Sequence, residues 1–276
     1  MNLLGIDFED WYHPELIQPY VAAIQKKPKV IKGIDKILNW LQINETTATF
    51  FMVGELLEFQ PELLDKIICE GHEIGFHTMY HTRIDSENFQ EKFEEEIQTF
   101  TKLTSGKSKG FRAPSLSLNQ KSSWVIDSLE RNDYKYDSSI IPAKTPLYGV
   151  PSADLKPYKI SRKSIHTNDP NGKIIEFPLL TTKFLRWRIP AAGGFFLRTL
   201  PLRFIENAIE KNSKSEIPSA FYIHSWELTP EYMPRLPLPV LSKFVTYHNI
   251  DKAFPKMDKL IKKFEFTSFE KYLKSM

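Results

Sequence analysis

The sequence predicts an α/β fold whose sheet is largely parallel and either closes into a barrel or stays open. Short apolar runs alternate with amphipathic helical windows along most of the 276 residues, and this alternation is typical of strand–helix–strand units. The chain is long enough for one large domain or two small ones. Since no internal repeat, low-complexity tract or linker interrupts the pattern, we predict one domain over residues 1–276.

Seven apolar runs predict strands, and six amphipathic windows predict helices. The predicted strands are Asn2–Phe8, Thr47–Val53, Glu73–Phe76, Lys109–Phe111, Tyr134–Asp137, Lys173–Phe177 and Ala220–Ile223. The predicted helices are Ile31–Leu41, Pro61–Cys69, Glu87–Leu103, Gln120–Arg131, Pro201–Asn212 and Lys252–Phe264. The proline-rich segment Pro142–Pro190 breaks the alternation, so we expect loops and short strands inserted there at one face. Glu265–Phe269 is a candidate closing strand.

Composition excludes several classes of protein. Hydrophobic residues make up 41% of the chain and charged residues 26%, which is ordinary for a globular protein and excludes a disordered or fibrous one. The net charge of +3 is small and the basic residues are scattered, which argues against a nucleic-acid partner. The single cysteine, Cys69, excludes an internal disulfide and a cysteine-based zinc site. It falls in an apolar helical run, so we expect an inert, buried thiol.

The first residues give an expectation about localisation. Met1–Ile6 is followed at once by three carboxylates within Asp7–Asp10, without a basic region or an apolar segment of signal-peptide length. No run approaches the ~18 apolar residues that a membrane span requires. We therefore expect a cytoplasmic protein.

Four groups of polar residues follow strand-like apolar runs. They are Asp7, Glu9 and Asp10 in the first group, His77 and His81 in the second, Arg112 in the third and His224 in the fourth. If the sheet is parallel, all four groups lie at the carboxyl ends of strands, where α/β barrels keep their active sites. The coincidence of the four predicts a single site.

His77 and His81 are candidate metal ligands. Their four-residue spacing places both rings on one side of a helical turn. Two imidazoles and one carboxylate leave open positions on a divalent ion, as a catalytic hydrolytic metal requires. The alternative interpretation is two surface histidines in a loop.

The carboxylates divide into two roles. On a strand, Asp7 and Glu9 project to the same face, while Asp10 can turn at the strand's end. One carboxylate should bind the metal, and another should stand free as a general base. A solvated strand-end loop, or a helix cap at Asp10, is the alternative.

Arg112 and His224 complete the predicted set. A buried Arg112 requires a carboxylate partner, and pairing with the base would hold that base ionised and oriented. Without such a partner it is a surface arginine. His224 is a candidate general acid that protonates a leaving group, and its alternative role is a core histidine with a backbone partner.

Seven ordered stretches carry a resemblance that covers nearly the whole chain. They are Asp7–His13, Ala48–Gly54, Gly71–His81, Phe111–Ser115, Tyr134–Ile140, Gly193–Phe196 and Phe221–Glu227. In these stretches the chain resembles the NodB-homology polysaccharide deacetylases of carbohydrate esterase family four. It is most similar to the branch found in exopolysaccharide gene clusters and associated with exosortase systems.

The resemblance implies a distorted (β/α) barrel of seven or so strands that removes an N-acetyl group from an amino sugar. It implies one divalent metal ion held by a carboxylate and two histidines, with zinc expected and cobalt, nickel or manganese as alternatives. Carried over by residue, His77 and His81 are metal ligands, Arg112 steers the base and His224 is the acid.

Two positions depart from the family's pattern. The family carries two adjacent aspartates followed by glycine, whereas this chain has Asp7-Phe8-Glu9-Asp10-Trp11. Alignment on adjacency makes Glu9 the base and Asp10 the ligand, and alignment on alternation makes Asp7 the base and Glu9 the ligand. We favour Asp7 as base, with Asp10 or Glu9 on the metal. Ser115 stands where many relatives have a tyrosine whose backbone amide helps to hold the oxyanion, a role that any backbone N–H near it can fill.

The substrate expected from these features is a glycan or a lipid-linked glycan. Trp11 and Trp226 are candidate stacking platforms beside Ser115, although aromatic residues are more often core. Phe184–Ile189 alternates cationic and aromatic residues, which suits contact with a membrane surface or, alternatively, an ordinary edge strand. Two rival functions are a non-catalytic carbohydrate-binding relative and a hydrolase of a non-sugar C–N amide bond.

Overall fold

The computed structural model of the chain describes residues 1–22 and 26–276. Its strands are β1 Asn2–Phe8, β2 Thr49–Met52, β3 Glu73–Phe76, β4 Gly110–Phe111, β5 Tyr136–Asp137, β6 Tyr158–Ile160, β7 Ile174–Glu176, β8 Thr181–Phe184, β9 Trp187–Pro190, β10 Ala220–His224 and β11 Phe266–Thr267. Its α-helices are α1 Ile34–Ile43, α2 Glu55–Phe59, α3 Glu62–Cys69, α4 Phe89–Leu103, α5 Trp124–Arg131, α6 Gly194–Thr199, α7 Leu202–Lys214, α8 Ser225–Leu228, α9 Val240–Tyr247, α10 Ala253–Lys263 and α11 Phe269–Leu273.

Most of the strands form one parallel sheet. The order along the sheet is β10-β1-β2-β3-β4-β5-β7-β6, and β11 adds to β1. Every pairing in it is parallel except that of β6 with β7. Isolated bridges then join Leu179 to Ala220 and Gly193 to Tyr222, so that the chain after β7 returns to β10 at the other edge. The predicted α/β barrel-type fold is confirmed, as a distorted and incompletely closed sheet.

The strand register brings the predicted polar groups together. Asp7 lies directly opposite His224 on β10, and the last residues of β2, β3 and β4 pair in turn as Met52, Phe76 and Phe111. All seven residues of β1 are buried, as expected for a strand covered on both faces. The carboxyl ends of these strands therefore share one edge, which is where an α/β barrel builds its site.

The segment Pro142–Pro190 is more regular than the sequence suggests. β6 and β7 belong to the main sheet, and only the antiparallel pair β8 and β9 stands apart from it. The predicted closing strand is real but short, because β11 ends at Thr267 and α11 begins at Phe269.

Cys69 is exposed, so the expectation of a buried thiol is wrong. Helix α3 buries Leu63 and Ile67, which are four residues apart and share one face. Cys69 lies two positions beyond Ile67, on the side of the helix that is turned away from the core. In the part of the chain that the structure describes, no helix has both the length and the apolar character needed to cross a bilayer.

Candidate active site

Glu9, His77 and His81 form a compact group of potential metal ligands. One side-chain donor atom from each lies within 4.8 Å of the others, and all three residues are buried. Glu9 follows the end of β1, and His77 follows the end of β3. The loop after His77 turns sharply, with Thr78 and His81 both in the left-handed region at φ of 56° and 54°. This turn brings the two imidazole rings to a centroid distance of 4.9 Å.

Neighbouring groups fix the orientation of these side chains. His77 Nδ1 lies 2.6 Å from the Arg112 carbonyl oxygen, which leaves Nε2 as the free nitrogen of that ring. Trp226 Nε1 donates to Glu9 Oε1 at 2.7 Å. Glu9 Oε2 lies 2.7 Å from His81 Nε2, yet this buried oxygen has no hydrogen bond of proper geometry. Glu9 Oε2 and His81 Nε2 are thus close together without a hydrogen bond between them, which is the arrangement expected of two ligands that bind the same cation. A carboxylate with two imidazoles is a ligand set that suits zinc.

The protonation states suit metal binding. Burial lowers the pKa of His77 to about 4, so its imidazole is neutral at pH 7. Burial alone would raise the pKa of Glu9, but the imidazoles of His81, His224 and His77 outweigh it and hold that pKa well below its ordinary value. A neutral imidazole and an ionised carboxylate are the forms that bind divalent metals.

Asp10, which the sequence predicts as a ligand, is not brought into this group by the structure. Its buried carboxylate accepts hydrogen bonds from the backbone N–H groups of Trp11, Lys29 and Val30 at 2.8–3.0 Å. It thereby caps the short 3₁₀ turn that begins at Val30. Of the two adjacent carboxylates, Glu9 points toward the histidines and Asp10 secures the loop behind them.

Asp7 is held by Arg112, as the sequence predicts for a buried arginine. Arg112 Nη1 lies 2.6 Å from Asp7 Oδ1, and Arg112 is fully buried. Its Nε donates to the Ser138 carbonyl at 2.8 Å and its Nη2 to Ser138 Oγ at 2.9 Å. The guanidinium lies 4.0 Å from the centroid of the Phe51 ring. Gly5 provides the space, because a Cβ there would overlap Arg112 Nη1.

His224 occupies the opposite side of the cavity. Its Nδ1 lies 2.7 Å from Glu227 Oε2, its Nε2 lies 3.9 Å from Glu9 Oε1, and its ring stacks on Trp226 with a centroid distance of 4.8 Å. Burial would lower its pKa, but Glu227, followed by Glu9 and Asp7, raises the pKa of His224 to about 9. The imidazole is therefore protonated at neutral pH and can donate a proton.

Glu227 and Arg198 are parts of this site that sequence reasoning did not assign. Glu227 is buried beside Arg198, whose Nε lies 2.6 Å from Glu227 Oε1. Burial would raise the pKa of Glu227, but Arg198 and then His224 lower it. Arg198 also donates to the carbonyls of Val245, Thr246 and His248, at distances of 2.7–3.1 Å. The i, i+3 spacing of His224 and Glu227 at the start of a helix could have predicted that these two side chains contact each other. Nothing local in the sequence marks Arg198.

The cavity between the two sides has a volume of about 160 Å³ and is lined by Asp7, Glu9, His77, His81 and His224, together with Ser115 and Trp226. Trp226 is 4% exposed, and it contacts Glu9 and His224 and also packs in a hydrophobic cluster that includes Tyr12 and Ile17. Ser115 stands in the left-handed region at φ 52°. The Ala113 N–H donates to Ser139 Oγ at 2.8 Å, which leaves the N–H of Ser115 as the better candidate for an oxyanion donor.

Trp11, which the sequence predicts to bind substrate, is not among the residues that line this cavity. Its side chain is 4% exposed and lies in a second hydrophobic cluster with Tyr12, Ile17 and Val30. Its indole Nε1 donates to the Lys27 carbonyl at 3.0 Å. The segment around Lys27 thus covers the indole ring on which a sugar would need to stack.

Solved structures define the class of fold. A Mycobacterium smegmatis chain assigned to the polysaccharide deacetylases superposes with a TM-score of 0.61 at 13% identity, covering 99% of this chain and 90% of the other. PuuE allantoinase superposes with a TM-score of 0.55 at 13% identity, covering 96% of this chain and 86% of the other. The chain therefore has the distorted barrel fold of the polysaccharide deacetylases.

Sequence comparison divides the chain into two parts. Residues 30–135 match the family described as polysaccharide deacetylase, and residues 138–274 match a domain of unknown function, DUF3473. Strands from both parts belong to one sheet, because β2, β3 and β4 lie in the first matched range and β6, β7, β10 and β11 lie in the second.

Curated relatives are similar over short segments. A peptidoglycan-N-acetylglucosamine deacetylase of Bacillus cereus is 40% identical over 62 residues, which are 22% of this chain and 29% of that protein. A chitooligosaccharide deacetylase of Bradyrhizobium is 42% identical over 45 residues, which are 16% of this chain and 20% of that protein. The aligned segments thus span less than a third of either relative.

Proposed function

We propose that this protein removes the N-acetyl group of an acetamido sugar by metal-dependent hydrolysis. The observation that carries the proposal is the meeting of three devices at one cavity. These are the ligand set of Glu9, His77 and His81, the Asp7 carboxylate held by Arg112, and the His224 imidazole held by Glu227. The named activities of the curated relatives support an acetamido sugar as substrate.

Glu9, His77 and His81 would hold the metal, for which we propose zinc. A divalent cation bound there supplies a Lewis acid that polarises an amide carbonyl and acidifies water. Trp226 orients Glu9, and the Arg112 carbonyl orients His77, so that the donor atoms are placed in advance.

The side chains around the ligands carry the proton transfers. Asp7 takes a proton from the attacking water, and Arg112 fixes the position of its carboxylate through the 2.6 Å contact. The Ser115 N–H donates to the oxyanion of the tetrahedral intermediate. His224 gives its proton to the departing nitrogen, so that the C–N bond breaks to yield acetate and a free amino sugar.

The finer substrate assignment rests on the sequence resemblance. The similarity of the chain to the branch found in exopolysaccharide gene clusters supports an exopolysaccharide, or an intermediate in its biosynthesis, as the natural substrate. The cavity of about 160 Å³ opens between the two sides and suits an acetamido group presented from a larger glycan.

Acetate release tests the proposal. The purified chain is stripped with a chelator, restored with zinc and incubated with N-acetylglucosamine oligomers, and acetate and free amine are measured together. We expect the two products in equal amounts, only with zinc, and neither from His77→Ala. His166→Ala, which changes a histidine outside the cavity, is the matched control and should keep full activity.

Two outcomes would overturn the assignment. Oligomer binding without acetate release, in protein that holds zinc, would indicate a non-catalytic carbohydrate-binding relative. Ring opening of allantoin without any acetate from glycans would instead indicate a hydrolase of non-sugar amides.

A further inference from the structure

The hairpin of β8 and β9 exposes large apolar side chains away from the cavity. Its two strands pair only with each other in the part of the chain that the structure describes. At its tip Leu185 is 85% exposed, Trp187 60% and Phe184 48%. Leu185 also adopts a φ of +54°, a conformation that is unfavourable for a bulky residue. The tip of the hairpin is therefore a surface patch of large exposed apolar side chains, which is a feature of interaction sites.

The register of the hairpin separates apolar from basic residues. Phe184 lies opposite Trp187, and the next pair along is Lys183 opposite Arg188. Successive pairs project to opposite faces of a two-stranded sheet, so one face is aromatic and the other is basic. The aromatic face extends to Phe204 of α7, which is 38% exposed and lies 6.1 Å from Phe184 between ring centroids.

The stretch of sequence that contains the hairpin carries only basic charges. Residues 177–205 contain no acidic residue, and their basic residues are Lys183, Arg186, Arg188, Arg198 and Arg203. Arg198 is buried, but the others reach the surface, and Arg186 lies 5.2 Å over the Trp187 ring. The whole chain is nearly balanced at +3, so the acid-free stretch is a local property. A second copy of the same hairpin would place basic residues against basic residues, which disfavours pairing between copies through it.

We propose that this hairpin docks the protein on an anionic lipid bilayer. Trp187 and Phe184 suit the boundary between headgroups and acyl chains, where aromatic residues collect, and Leu185 would enter the acyl region. Lys183, Arg186 and Arg188 would contact the lipid phosphates. The hairpin continues through β9 into α6, whose Phe195 lines the cavity, so docking would hold the cavity mouth near the membrane surface.

Vesicle flotation tests the proposal with the 276-residue chain. The vesicles are phosphatidylcholine alone, or phosphatidylcholine with about a third phosphatidylglycerol. We expect the wild type to float with the anionic vesicles, and both Leu185→Ser and Trp187→Ser to lose at least roughly tenfold in partitioning. Arg186→Glu/Arg188→Glu should lose as much, with binding weakened by salt.

Matched controls separate the hairpin from general effects. Ile43→Ser alters another exposed apolar residue, and Lys107→Glu/Lys121→Glu makes the same change of net charge elsewhere. Both should bind like the wild type, and circular dichroism should show every variant folded. Since the hairpin lies outside the cavity, acetate release from soluble oligomers should be unchanged in the tip variants, which separates this proposal from the proposed function.

Three results would overturn the proposal. The first is a wild type that floats with neither vesicle. The second is binding that survives both tip variants. The third is self-association in sedimentation velocity that Leu185→Ser abolishes without any vesicle binding, which would assign the tip to contacts between copies.

Discussion

Each side of the cavity contains a buried arginine paired with a carboxylate, but the two pairs are connected differently to the residues that line the cavity. On one side Arg112 contacts the reactive carboxylate of Asp7 directly at 2.6 Å. On the other side Arg198 contacts Glu227 at 2.6 Å, and Glu227 in turn holds the reactive imidazole of His224 at 2.7 Å. In the proposed mechanism, the carboxylate of the direct pair accepts a proton and the imidazole of the extended pair donates one.

Two histidines that line the cavity, His77 and His224, have pKa values shifted in opposite directions. Burial lowers the pKa of His77 to about 4, whereas Glu227 overcomes burial and raises the pKa of His224 to about 9. Neighbouring titratable groups whose pKa values are pushed apart mark a division between base or ligand and acid. The comparison therefore supports the proposed roles of His77 as a metal ligand and of His224 as the proton donor.

Loss of the base should have the largest effect on the first side. Asp7→Asn removes the proton acceptor and leaves the buried Arg112 without its anion. We expect kcat to fall roughly 10³- to 10⁴-fold, the upper part of the range for a general base, with bound zinc retained. Steady-state kinetics and metal analysis measure both quantities. A variant that lost its zinc in proportion to its activity would show that Asp7 is a ligand and not the base.

Loss of the acid should follow in size. His224→Gln removes the proton donor, and we expect kcat to fall roughly 10²- to 10³-fold with zinc retained. An activated ester substrate, whose leaving group needs no proton, should recover most of that loss. An equal loss on both substrates would contradict the role of His224 as acid.

The pH profile sharpens the second side further. His224 is protonated below a pKa of about 9, so wild-type kcat should decline as the pH rises through that value. Glu227→Gln removes the largest influence that raises this pKa. The alkaline limb of the profile of kcat against pH should therefore move to lower pH, while the acid limb of the same profile stays in place. An unchanged alkaline limb would show that Glu227 does not tune His224.

The smallest effect on kcat should come from a substitution that fills the space beside Arg112. In Gly5→Ala the new methyl group meets Arg112 Nη1 and the Phe51 ring. We expect a loss of about 1–3 kcal/mol in the free energy of unfolding, the usual cost of overpacking, and a few-fold loss in kcat. Urea denaturation checks the first quantity. A fully stable variant would mean that the guanidinium is not confined as the structure shows.

The sequence predicted the first side of the cavity better than the second, for a physical reason. His77 and His81 are close in the chain, and the motif around Arg112 follows a strand, so local spacing predicts where they lie. Arg198 on α6 meets Glu227 on α8 only because both helices pack against β10 and α10, and no local pattern carries that contact. Most strands were likewise predicted from their apolar runs, whereas the membership of β6 and β7 in the main sheet depends on long-range pairing.

Two of the predicted site residues, Asp10 and Trp11, lie outside the cavity for a common reason. Asp10 and Trp11 follow β1 in the same loop as Glu9, and spacing alone cannot distinguish a side chain that faces the cavity from one that faces the loop. Backbone N–H groups from Lys29 and Val30, far along the chain, draw the Asp10 carboxylate away from the histidines. Trp11 is covered by the same stretch of chain through the Lys27 carbonyl.

Zinc stoichiometry in two isosteric variants tests the central claim most directly. Glu9→Gln and Asp10→Asn each remove one negative charge from adjacent residues, and both are stripped, restored with zinc and assayed for bound metal beside the wild type. We predict about one zinc ion per chain in the wild type and in Asp10→Asn, and at least a tenfold weaker affinity in Glu9→Gln. Zinc retained by Glu9→Gln and lost by Asp10→Asn would contradict the site described by the geometry.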